Sequence, residues 1–75
     1  MKKAFVLINS ELGSEASLKA DLKRIPGVVG VYVVYGMYDM IAEVEAESDW
    51  KLKDVIFTRI RTMEHVRSTL TLNSV

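Results

Sequence analysis

Five consecutive residues, Gly36-Met37-Tyr38-Asp39-Met40, hold the most varied chemistry in this chain. Glycine tolerates positive φ and leaves backbone N–H groups open to approach. Asp39 is a lone acid in a stretch otherwise poor in charge. A loop of this composition can hold a small zwitterion: amides take a carboxylate, Asp39 takes an ammonium, and Met or Tyr side chains take an apolar part. A Gly and an Asp between two strands are also the makings of a plain hairpin turn. The residues by themselves leave both readings open.

A catalytic constellation is harder to assemble. His65 is the single histidine, and imidazole can act as a general base near neutral pH. No nucleophile or orienting partner can be named for it, and a solvated histidine at a helix end accounts for it. An acylphosphatase-like site needs an arginine in a phosphate-cradling loop after the first strand. Here that loop is Asn9-Ser10-Glu11-Leu12-Gly13, with an acid and no arginine. The chain has no Cys, which excludes disulfides, thiolate metal sites and the Cys pair of a copper carrier. One His excludes a multi-histidine metal site. Neither an enzyme activity nor a cofactor is expected.

These residues must be positioned by a small frame. The 75 residues fit one domain, 1–75. So short a chain has little stability to spare, and with disulfides and metals excluded, oligomerisation is the remedy left. The formal net charge is zero, which argues against autonomous nucleic-acid binding. Tyr32 and Tyr35 lack the Lys or Arg neighbours that an RNA-reading sheet would place beside them. Met1-Lys2-Lys3 precedes an apolar run at 4–8 that is too short for a signal peptide, and Asn9-Ser10-Glu11 follows it. No stretch approaches transmembrane length. A cytoplasmic protein without membrane contact is expected.

Residues 4–8 form a continuous apolar run of strand length. Ser14 suits a helix N-cap, with Glu15 in the first turn. Leu18, Leu22 and Ile25 then recur at helical spacing until Pro26-Gly27 stops the helix. Residues 28–35 are β-branched and aromatic and predict a second strand; 36–39 connect it to a third at 40–45. Glu47-Ser48-Asp49 opens a second helix with an apolar stripe of Leu52, Val55, Ile56, Ile60 and Met63. Residues 66–72 predict a fourth strand, Leu70 and Leu72 on one face, Thr69 and Thr71 on the other. The order is β-α-β-β-α-β. Two right-handed crossovers give an α+β, ferredoxin-like fold, a four-stranded antiparallel sheet with two helices on one face.

Helices can cover only one face of that sheet, yet its first two strands carry apolar residues on both. Phe5 and Leu7 point opposite to Val6 and Ile8; Val31 and Val33 point opposite to Tyr32 and Val34. The bare set would exceed the apolar patch a soluble monomer usually exposes. Pairing of sheets in a two-fold dimer is the simplest remedy. Trp50 and Phe57, with Arg61 near them, lie opposite the apolar stripe of the second helix. They either fold over their own domain or offer a further contact surface.

The whole chain resembles the effector-binding, C-terminal (RAM) domain of the leucine-responsive and asparagine-responsive (Lrp/AsnC) transcriptional regulators. The resemblance is carried by Ile25-Pro26-Gly27-Val28, by Tyr32-Val33-Val34-Tyr35-Gly36-Met37-Tyr38-Asp39, by Ile60-Arg61 and by Arg67-Ser68-Thr69-Leu70-Thr71-Leu72. It implies a βαββαβ dimer through the sheets, assembled further into tetramers, octamers or similar homo-oligomers, with an amino-acid effector bound between dimers. It implies a binding loop of Tyr35, Gly36, Met37, Tyr38, Asp39 and Met40, completed by Arg67, Ser68, Thr69 and Thr71, the last four from a neighbouring dimer. Those regulators carry an N-terminal helix-turn-helix domain, whereas this sequence starts at its first strand. Met1 placed directly before that strand favours a stand-alone module that senses and assembles, with full-length regulators of the family as candidate partners. An amino-acid-binding (ACT-like) regulatory subunit of a biosynthetic enzyme shares the fold and the ligand class, and is the alternative.

Overall fold

The structure, a computed structural model, describes residues 1–73. Its elements are β1 (Lys2–Ser10), α1 (Glu15–Lys23), β2 (Val28–Val33), β3 (Met40–Ala46), α2 (Asp49–Asp54) continuing as a π-helical segment (Val55–Ile60), and β4 (Val66–Asn73). The four strands form one antiparallel sheet in the order β2-β3-β1-β4. The expected βαββαβ order and antiparallel sheet are therefore present. No helix among the described residues is long and apolar enough to cross a membrane.

Strand periodicity separates the two faces of the sheet. Ala4, Val6 and Ile8 of β1 and Met40, Ala42 and Val44 of β3 are fully buried, with Val31 of β2 beside them. Leu18 and Leu22 of α1 and Leu52, Ile56 and Ile60 of the second helix close over this face. The last three are spaced by four. An α-helix turns about 400° in four residues, so this row would drift off the core. The wider turn of the π-helical segment, with Arg61 N–H donating to Ile56 C=O, lets the row stay in line. Trp50 and Phe57 face away from this core and are exposed, with the Arg61 guanidinium 5.0 Å from the centre of the Phe57 ring.

The opposite face is free of helices. The register aligns Tyr32 with Ile41, Ile41 with Leu7, and Leu7 with Leu70, an apolar row across all four strands. The next row runs Gly30, Glu43, Phe5, Leu72. Tyr32, Leu72 and Leu70 are 52, 50 and 45% exposed, respectively. Into this face the sequence sets Glu43, whose carboxylate accepts from Lys3 Nζ at 2.8 Å and from Tyr32 Oη at 3.3 Å. The hydrogen bond from Lys3 holds the Glu43 carboxyl below its ordinary pKa and the Lys3 ammonium above its own.

Some boundaries differ from the sequence expectation. β1 extends two residues beyond the apolar run at each end, because pairing with β3 and β4 continues through Lys2, Lys3, Asn9 and Ser10. β2 stops at Val33, and Val34 and Tyr35 belong to the connection. Ser14 does not cap α1 through its side chain; its hydroxyl donates back to Glu11 C=O at 2.6 Å. Ser48 does cap α2, accepting from Lys51 N–H at 3.2 Å.

Candidate functional site

The β2–β3 connection is fastened to the end of β1 by one acid. Asp39 N–H donates to Ile8 C=O at 2.9 Å, and Asp39 C=O accepts from Val34 N–H at 2.9 Å. Its carboxylate Oδ2 accepts from Ser10 N–H at 2.9 Å and from Ser10 Oγ at 3.2 Å. Ser10 is buried, so this pairing satisfies a donor that water does not reach. The other carboxylate oxygen, Oδ1, makes no hydrogen bond to the described residues. Gly36 sits at φ 137°, a conformation that L side chains rarely adopt, and lets the connection turn back toward β3.

Beside Asp39 lies an open cleft of about 410 Å³, lined by Asn9, Ser10, Leu12, Glu15, Asp39, Arg67 and Ser68. It forms where the end of β1, the β1–α1 turn and the start of β4 meet. Glu11 N–H donating to His65 C=O at 2.9 Å ties the turn to the segment before β4. Asn9 Nδ2 donates to Ser68 Oγ at 3.0 Å across the β1–β4 pair. The His65 imidazole lies with Nδ1 3.5 Å from the Glu11 carboxylate. Among the described residues, no nucleophile is hydrogen-bonded to this imidazole.

Of the ten residues expected to form the site, three line this cleft: Asp39, Arg67 and Ser68. Tyr35, Gly36 and Met37 are exposed on the connection, and Tyr38 is half-buried beside them. Met40 is different. Its side chain is fully buried in the core under the helices, so it offers no surface to a ligand at the loop. Thr69 pairs with Ile8 and Thr71 with Val6, on the helix-facing side of β4. Thr71 belongs to another groove, of about 570 Å³, where it meets Leu52, Ile56 and Phe57 of the second helix. Both lie farther along β4 than Arg67 and Ser68, and neither lines the cleft within one chain.

Asn9, Ser10, Leu12 and Glu15 are the lining residues that sequence reasoning missed. They fall in and after the β1 end, which carries no motif. The alignment of Ser10 with Val66, across a register shift between Asn9 and Ser10, is what brings them to Arg67.

The family model for the Lrp/AsnC ligand-binding domain matches residues 3–74. The chain belongs to the Lrp/AsnC family. Among solved structures, this Lrp/AsnC domain is similar to FFRP-DM1 at 35% identity and TM-score 0.95, with all of both chains covered. It is similar to TTHA0845 from Thermus thermophilus at 35% identity and TM-score 0.93, covering 100% of this chain and 94% of that one. It is similar to AsnC of E. coli at 25% identity and TM-score 0.90, covering 99% of this chain and 50% of AsnC, so it spans half the length of that relative. A comparison with curated proteins finds no match. The Lrp/AsnC domain is thus a ligand-binding domain of a family of transcriptional regulators, in a ferredoxin-like fold.

Proposed function

We propose that this Lrp/AsnC domain is an amino-acid-sensing and oligomerisation module of transcriptional regulation. It binds a small amino-acid effector in the cleft beside Asp39. It pairs with a second copy through the helix-free sheet face, and the dimers assemble further, with the loop from Tyr35 to Tyr38 set at their mutual contact. The observation that carries this reading is the cleft itself, in which the carboxylate of Asp39 and the guanidinium of Arg67 stand without an ion pair between them. A zwitterion is the ligand that satisfies both.

Coupling follows from mass action. If a neighbouring dimer completes the site, ligand binds only the associated arrangement and favours it in proportion to occupancy. Any DNA-binding partners carried by the assembly are then rearranged. Thermal shift against the twenty amino acids at millimolar concentration tests the proposal. At ten times Kd, binding adds about 1.4 kcal/mol, a rise of roughly 5 °C or more for a domain this size. Absence of any rise would remove the sensor role.

A further inference from the structure

We infer that the cleft selects a basic amino acid, lysine or arginine, and that Glu15 is the residue that reads its side chain. This rests on the cleft being the amino-acid site. The lining holds two carboxylates, Asp39 and Glu15, and one guanidinium, Arg67; Asn9, Ser10 and Ser68 are neutral and polar, and Leu12 is the one apolar member. None of the three charged groups is within ion-pair distance of another. Glu15 and Arg67 have neither an ion pair nor a side-chain hydrogen bond among the described residues.

Assigning a zwitterion to this set consumes two of the charges. Arg67 takes the α-carboxylate, which its fork of donors suits. Asp39 takes the α-ammonium on Oδ1, since Oδ2 already accepts from Ser10. Glu15 is left over, half-buried and opening α1, where a negative charge is favoured. A ligand with a neutral side chain would cover Glu15 and give it nothing in exchange for lost water, which is unfavourable. An acidic side chain would meet a like charge. A lysine or arginine side chain brings the missing cation, and its methylene stem can lie along Leu12, which is almost wholly exposed at the rim. Selection of this kind comes from the penalty on the wrong ligand as much as from attraction to the right one.

Isothermal titration of the wild-type chain with L-lysine, L-arginine, L-leucine and L-glutamate tests the assignment, alongside Glu15→Gln and Glu15→Lys. Lysine and arginine are expected to bind at least about ten-fold more tightly than leucine, with glutamate weakest. Glu15→Gln is expected to weaken lysine by about ten-fold or more while leaving leucine unchanged or improved. Glu15→Lys is expected to move the preference to glutamate. Glu15 faces solvent in part, so both variants should fold, which a melting curve confirms. Leucine matching lysine in the wild type, or a lysine preference that survives both substitutions, would overturn the role of Glu15 and leave the sensor reading standing. No binding of any of these four, together with no thermal shift from any of the twenty amino acids, would overturn both.

Discussion

The carboxylate of Asp39 is held by Ser10, whose backbone N–H and hydroxyl both donate to Oδ2, at 2.9 and 3.2 Å. One acid therefore does two jobs: it anchors the β2–β3 connection to the end of β1, and it presents its other oxygen to the cleft. Replacing it with Ala would leave the buried Ser10 N–H without a partner. Asp39→Ala is expected to lose about 1–3 kcal/mol of stability. Asp39→Asn retains an acceptor for Ser10 and removes the charge, so it should keep most of the stability and lose the amino-acid-induced thermal shift. Denaturant unfolding of the two variants checks the first point; equal losses in both would mean that Ser10 does not depend on this acceptor. A retained shift in the Asn variant would take Asp39 out of the site.

Tyr32 lies back along the sheet over Gly30. A Cβ on Gly30 would meet Tyr32 Oη at 2.8 Å and its ring carbons at 3.1 and 3.2 Å. The crowding is at the far end of a side chain, so Gly30→Ala should leave the monomer's melting temperature nearly unchanged. It should instead swing Tyr32 away from Glu43 and reshape the face that pairs with a second copy. The expected result is a dimer dissociation constant raised by about ten-fold, worth ~1.4 kcal/mol. Sedimentation over a concentration series measures it; an unchanged constant would mean that Tyr32 stands outside the contact.

The apolar row through Leu7 and Leu70 makes a sharper prediction. Leu70 is 45% exposed on an edge strand, so Leu70→Glu removes little from the core of one chain. In a sheet-to-sheet dimer the same carboxylate would be buried without a partner, at a cost of several kcal/mol. The variant should be a folded monomer by circular dichroism and light scattering at micromolar concentration. Wild-type chain that is itself monomeric there would sink the proposed pairing.

The Lys3–Glu43 pair sets a pH dependence whose sign is fixed. The Glu43 pKa is lowered from 4.5, chiefly by the hydrogen bond from Lys3. Its contribution is complete above the unfolded value and is lost as pH falls through the folded one. The Lys3 pKa is raised from 10.5, chiefly by the same bond. Its contribution is complete below that value and is lost as pH rises through the folded one. The pair therefore acts between these limits. Both groups meet solvent, so salt should weaken the effect. Melting temperatures of wild type and Lys3→Met from pH 7 to pH 3 should diverge most at pH 7 and converge at the acid end. Parallel curves would show that the pair contributes nothing.

The sequence by itself determined the element order and the core. Continuous and alternating apolar runs placed Val6, Ile8, Ala42 and Val44 on strands, and recurrence at helical spacing placed Leu18, Leu22, Leu52, Ile56 and Ile60 on helices. These signals are local, and burial of one face is their direct consequence. The sequence also marked both faces of β1 as apolar, which is why the helix-free face was foreseeable. Asp39 was legible as an acid worth weighing, but its bond to Ser10 was not. Only the tertiary structure decided that Met40 turns into the core, that Thr69 and Thr71 lie outside the cleft, and that Glu15 joins Arg67 and Asp39 there. Each of these depends on how β1, β3 and β4 align. A shift of one residue exchanges the faces of a strand, and the register shift between Asn9 and Ser10 leaves no mark in composition or spacing.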